Sequence, residues 1–153
     1  MRVLGAVVAA LHYLALGAGL PAIWHRARLL GGSLDRECLR RVFLSDTVWG
    51  IAAVLWLVTG AMRAFGGIEK GASFYLGSWL FHLKLGLVAL ILALEILPMV
   101  ALIRWRIALS RGQNPDLRNA ALYRSLSFVQ FAIVIAIVFV AAFMARGFGR
   151  MGR

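Results

Sequence analysis

The chain reads as an all-α integral membrane protein, an antiparallel bundle of four transmembrane helices. Three observations predict this. Hydrophobic residues fill 62% of the 153 positions and the mean hydropathy is +0.85, where ordinary soluble domains carry about 45–50% apolar residues. The apolar residues gather in four windows of about 20, the length that crosses a bilayer. The basic residues gather between the first and second windows and between the third and fourth. The windows place helices at residues 3–24, 47–65, 79–103 and 128–144 of a single domain, 1–153, with no linker that would separate two.

Helix one opens like a signal peptide, with Arg2 before the apolar run Val3–Leu11 and small residues from Ala18 to Ala22. His12 and Tyr13 interrupt that run, which then continues to Trp24, so the segment is read as a retained helix. The first loop holds His25, Arg26, Arg28, Arg36, Arg40 and Arg41. It also holds Cys38, the single cysteine, which excludes an intramolecular disulfide. Asp46 stands before helix two, where the helix dipole favours an anion and a cap is expected. Trp56 inside that helix is read as a packing residue and Arg63 marks its far end.

Gly66–Gly67 and Gly71 break the chain, and Ser73 is placed to cap the next helical segment. Helix three carries His82, Lys84 and Glu95, and Pro98 removes a backbone donor and bends it. Ser110–Arg111–Gly112 stops the helix and Asn114–Pro115–Asp116 turns the chain. Residues 117–127 read as a short interfacial helix that leads into helix four. Trp24, Trp49, Tyr75, Trp79, Trp105 and Tyr123 lie near the expected borders, as aromatic belts do. Small residues such as Gly17, Gly19, Gly50 and Gly60 allow close helix approach, which replaces the missing hydrophobic force in lipid.

The formal charge of +11 is explained by this layout. Ten arginines lie in the first and third loops: Arg26, Arg28, Arg36, Arg40, Arg41, Arg104, Arg106, Arg111, Arg118 and Arg124. Loops rich in Arg and Lys stay in the cytoplasm, so both termini are expected outside, against the weaker pull of Arg2, Arg146, Arg150 and Arg153. Topology accounts for the basicity, and no nucleic-acid partner is needed. The expected partner is the lipid bilayer, with a homodimer or a membrane complex as further options.

Ionisable groups at membrane depth are costly and mark function or pairing. With helices one and three both entering from outside, His12 lies about 14 Å below Val3 and Lys84 roughly 8 Å below Trp79, in the same half of the membrane. Lys84 and Glu95 are eleven residues apart and share a helix face, whereas His82 and Lys84 stand about 200° apart. A neutral imidazole and a deprotonated lysine would supply the two axial positions of a haem between helices one and three. The plainer alternatives are a hydrogen-bonded packing histidine and a lysine that snorkels to the interface. Glu95 is a candidate proton group or an acid paired with another helix, and His82 is the alternative ligand.

The motifs GxxR at Gly60–Arg63, EKGxxFY from Glu69 to Tyr75, FHLKLG from Phe81 to Gly86 and IRWR from Ile103 to Arg106 make a pattern. Together with LHYLAL at Leu11–Leu16 they resemble an uncharacterised family of bacterial four-helix membrane proteins, domain of unknown function 2214. That resemblance covers nearly the whole chain, implies a bacterial cytoplasmic (inner) membrane location and leaves activity open. His12, Trp79 with Lys84, Arg104–Trp105–Arg106 and Leu122–Tyr123–Arg124 more distantly resemble the HemJ-type protoporphyrinogen oxidases. In that family the helix-one histidine and helix-three lysine are linked to haem b, which the resemblance carries to His12 and Lys84. The chain departs from it at Ser125–Leu126–Ser127, where the family has an asparagine–glutamate pair, and in the residues after helix one.

These readings leave two leading function classes, ahead of a minimal transporter or metal-handling homodimer, for which four helices give little room. One is a haem-b-binding protein with a redox role, porphyrinogen oxidase-like or quinone-linked. The other is a non-enzymatic accessory or assembly subunit, whose polar residues only hold helices together. The topology is tested first by thiol labelling of intact cells. An impermeant reagent should modify a cysteine introduced at Ser73 and leave Cys38 untouched; labelling of Cys38 reverses the orientation.

Overall fold

A computed structural model describes residues 2–67 and 75–149. It has four long helices: α1 Arg2–Leu29, α2 Arg36–Phe65, α3 Trp79–Ser110 and α4 Ala120–Ala145. All four are long and apolar enough to cross a membrane. They form the expected antiparallel bundle. As residue numbers rise along α1 they fall along α2, with His12 on Thr59, Gly19 on Ala52 and His25 on Ser45. α1 lies along α2 and α4, and α3 along α4.

Three apolar layers fill the interior. Ile23, Trp49, Ile91, Val134 and Ile137 pack in the middle. Leu39, Val42, Leu102 and Trp105 pack at the end where α1 meets α2. Ala64, Tyr75, Leu80, Phe81 and Met144 pack at the end where α2 finishes. The outer surface of the bundle remains apolar, as in Leu14, Ile51, Leu97 and Phe139, which suits lipid as solvent.

The helices are longer than the hydropathy windows at the arginine-rich end. A hydropathy window measures the stretch that lipid tolerates, whereas the helix continues for as long as its backbone hydrogen bonds are best made internally. At 1.5 Å per residue the 32 residues of α3 extend about 48 Å, well beyond the roughly 30 Å hydrocarbon layer. Several expectations are corrected by this. His25 and Arg26 belong to α1 and not to a loop. Asp46 sits inside α2 and caps nothing; the N-cap is Asp35, whose carboxylate accepts from the Cys38 amide at 2.7 Å. Most of the short helix expected over 117–127 is the first two turns of α4, which starts at Ala120.

Other details hold. α3 stops at Ser110, with Gly112 in the left-handed region at φ +72°. The turn after it is pinned by Trp105, whose indole donates to the Asp116 carbonyl at 2.8 Å. Hydrogen bonds from Arg118 lower the Asp116 carboxyl to about 2. Of the small residues, Gly19 and Gly60 mark close contacts. A Cβ on Gly19 would meet Ala52 at 3.3 Å, and one on Gly60 would meet His12 at 3.3 Å. Gly17 and Gly50 meet nothing within 4 Å. Gly71 and the expected cap Ser73 lie outside the described residues.

α3 runs through Pro98 and begins without a side-chain cap from Ser78. The Trp79 amide instead donates to the Gly149 carbonyl at 3.0 Å. Gly149 has φ +79°, and a Cβ there would strike Leu80 at 2.5 Å, so only glycine fits.

A buried ionic cluster closes the bundle. Arg26 of α1 is 0% exposed. Its Nη1 donates to Asp46 of α2 at 2.9 Å and to Glu95 of α3 at 2.6 Å, and its Nη2 donates to Glu95 at 2.9 Å. Nη2 also reaches Gln130 of α4 at 3.1 Å, and Nε reaches Ser127 at 3.1 Å. Gln130 in turn donates to Glu95 at 2.7 Å. From α3, Arg106 donates across to α2, at 2.8 Å to Asp46 and 2.7 Å to the Phe43 carbonyl. Two arginines and two carboxylates balance in formal charge, which is what lets them stay at this depth.

Removing one partner of such a cluster leaves a stranded charge. Arg26→Met should therefore cost about 3–5 kcal/mol of stability, read as a large drop in thermal midpoint in detergent. The double variant Arg26→Met/Glu95→Met leaves Asp46 paired with Arg106 and should recover most of that loss. A double variant no more stable than the single one would show that the cluster does not work by charge balance.

Candidate functional site

At the other end of the bundle from this cluster, the helices part around a cavity of about 310 Å³. That is at the lower end of small-molecule sites, about 300–1,000 Å³. All four helices line it: His12, Tyr13 and Leu16 from α1, Trp56, Gly60 and Arg63 from α2, Phe81 and Lys84 from α3, and Ile137, Val138 and Met144 from α4. His12 and Lys84, chosen by depth from the sequence, thus face one space. It is enclosed by the whole bundle and not by α1 and α3 alone.

The side chains of α3 obey the angular reading. Lys84 lines the cavity and Glu95 joins the ionic cluster, while His82 is exposed, its ring nitrogen 3.0 Å from the Ser78 carbonyl. Glu95 is held by two nitrogens of Arg26 and by Gln130. The middle layer of Ile23, Trp49, Ile91, Val134 and Ile137, with Leu16 and Trp56 packed against it, separates that carboxylate from the cavity.

The geometry around His12 fixes its chemistry. Its Nδ1 lies 2.9 Å from the Thr59 hydroxyl. That hydroxyl has one proton, and it donates to the Leu55 carbonyl at 2.6 Å within its own helix. Thr59 therefore accepts from His12, so Nδ1 carries the hydrogen and the lone pair of the neutral ring resides on Nε2. Trp56 stacks on the imidazole at 5.6 Å with 22° between the planes, which holds the ring from one side. A histidine oriented by a hydrogen bond through one ring nitrogen is the usual form of a metal-bound imidazole.

Polarity changes along the cavity wall. Leu16, Trp56, Ile137 and Val138 form an apolar floor. Arg63 lies three residues beyond Gly60 on the same face of α2, about one turn nearer the helix end. Its guanidinium sits 5.3 Å from the centre of the Tyr13 ring. Among the described residues the charged side chains of the lining are Arg63 and Lys84. No cluster of three or more His, Cys, Asp or Glu side chains suited to a bare metal ion occurs among them.

Sequence reasoning missed Thr59, Arg63 and Tyr13 as parts of this site, and Arg26 and Gln130 as parts of the cluster. Gln130 was visible as a lone amide within an apolar span. Arg26 lies fourteen residues after His12, close to four turns, and so shares its face.

The tautomer is directly measurable. In ¹⁵N-histidine-labelled protein above the imidazole pKa, His12 should show the Nδ1–H form, and Thr59→Val should release it toward the Nε2–H form. An Nε2–H signal in the unaltered protein would overturn the hydrogen-bond direction.

Residues 4–149 match the family described as “Predicted membrane protein (DUF2214)”. No curated protein and no solved structure matches the chain. The likeness to the HemJ-type oxidases therefore rests on the residues quoted for it, while the uncharacterised family rests on a match over almost the entire length. The chain belongs to the predicted membrane protein family DUF2214.

Proposed function

We propose that this membrane protein binds haem b in the four-helix cavity and serves a redox role there. The observation that carries the reading is that His12, oriented by Thr59, and Lys84 line one cavity among the four helices. The donor set fits a haem: an oriented imidazole, a lysine amine, and an apolar floor for a flat ring. His12 and Lys84 would hold the iron, Thr59 would fix the imidazole plane and Trp56 would back it. Haem, when bound, supplies one-electron chemistry. The surrounding residues keep that site dry on its inner side through Leu16, Trp56 and Ile137.

Porphyrinogen oxidation or electron transfer to a quinone are the reactions this arrangement suits. With the arginine-rich loops in the cytoplasm of a bacterial inner membrane, the haem would lie in the outer half. Glu95, chelated by Arg26 and Gln130, takes the structural role in this reading and not that of a proton relay.

The test is the absorption spectrum of detergent-purified protein expressed with ample haem. A Soret band is expected. His12→Ala should bleach or shift it and Lys84→Met should shift it, because methionine can itself ligate iron. His82→Ala should leave it nearly unchanged. A colourless protein, with substitutions that alter only thermal stability, would establish the accessory-subunit reading in its place.

A further inference from the structure

We infer that the groove between α1 and α4 at the arginine-rich end of the bundle holds an anionic phospholipid, its phosphate between Arg28 and Arg124 and its acyl chain on Trp24, Phe128 and Phe131. The site lies at the opposite end from the cavity and is independent of the haem reading. Trp24 of α1 packs edge-on against Phe128 of α4 at 5.2 Å and against Phe131 at 5.0 Å. Nearer the end of the bundle the Arg124 guanidinium leans on Gly31, where a Cβ would meet its central carbon at 2.9 Å. Arg28 follows Trp24 by one turn and Arg124 precedes Phe128 by one turn, so each arginine shares the helix face of the ring next to it. The antiparallel helices thus set both arginines at one level, about 6 Å beyond the rings. Arg28, Arg124 and Trp24 are exposed and Phe128 and Phe131 half-buried, so the groove opens on the outside of the bundle.

Charge decides the occupant. At this end Arg26 is held by Asp46 and Glu95, Arg106 by Asp46, Arg41 by Glu37 and Arg118 by Asp116. The guanidinium groups of Arg28 and Arg124 make no hydrogen bond or ion pair among the described residues, and Arg124 lies over the Phe128 ring at 5.7 Å. Two cations without an acid, one turn beyond an aromatic floor, fit a molecule with an anionic head and a hydrocarbon body. A guanidinium takes two phosphate oxygens through parallel N–H donors. Four membrane-spanning helices put such molecules beside the groove at all times. A free phosphate would leave the rings uncovered, and a zwitterionic lipid would bring its own cation against the arginines.

The experiment is native mass spectrometry of the detergent-purified full chain, mixed with equal amounts of phosphatidylglycerol and phosphatidylcholine of the same acyl chains. The unaltered protein should retain the anionic lipid about tenfold more strongly, the effect of two arginines at a headgroup. Arg28→Gln/Arg124→Gln should lose most of that preference. Arg36→Gln/Arg40→Gln removes the same charge from exposed positions of α2 and should keep it. The floor is read by fluorescence: phosphatidylglycerol brominated on its acyl chain should quench tryptophan more than brominated phosphatidylcholine, and Trp24→Phe should remove the difference. Equal retention of the two lipids by the unaltered protein would overturn the inference. So would an equal loss of preference in the Arg36/Arg40 pair, which would assign it to overall basicity, or release of the lipid by millimolar inorganic phosphate, which would assign the arginines to a free anion. The retention and quenching of the unaltered protein decide the matter even if a variant fails to fold.

Discussion

One guanidinium organises the molecule. Arg26 donates to Asp46, Glu95, Ser127 and Gln130, and so touches each of the other three helices from α1. In lipid there is little hydrophobic force between helices, so specificity must come from close packing and polar contacts. The cluster supplies the polar part, since its geometry admits one rotation and one register for each helix. Gly19 and Gly60 supply the close packing between α1 and α2. The position of His12 opposite Thr59 is a result of that register, fixed some four turns away from the arginine.

The two polar systems have opposite characters. Around Arg26 the donors and acceptors are matched within the protein, and the formal charges cancel. A group so fully engaged is held in place by its partners. Around the cavity the described lining sets a histidine, an arginine and a lysine against an apolar floor. The first arrangement is what a scaffold needs. The second borders a cavity that all four helices line. An apolar layer lies between the two.

Much of this was legible in the sequence. The four helices follow from apolar runs, and the common level of His12 and Lys84 follows from counting helical rise. The exposure of His82 follows from its angle to Lys84. The ends of the helices were not legible, because hydropathy falls at Arg26 and Asp46 whether the chain leaves the membrane or pairs its charges inside it. The deciding feature is Glu95, sixty-nine residues away from Arg26. Likewise, nothing local to Thr59 says that it meets His12, and nothing local to Arg63 says that it lines the same cavity. That depends on which face of α2 meets α1, and the small residues that choose it were diluted among others, such as Gly17 and Gly50, that touch nothing.

The cluster also bears on how the chain is made. α1 leaves the ribosome before Asp46 exists and long before Glu95 does, so Arg26 first enters the bilayer without a counter-ion. Its place three residues from the end of α1 solves this. From there a long side chain can rest among lipid headgroups while the rest of the helix is inserted. Its enclosure needs all three later helices, since Asp46, Glu95 and Gln130 each come from a different one.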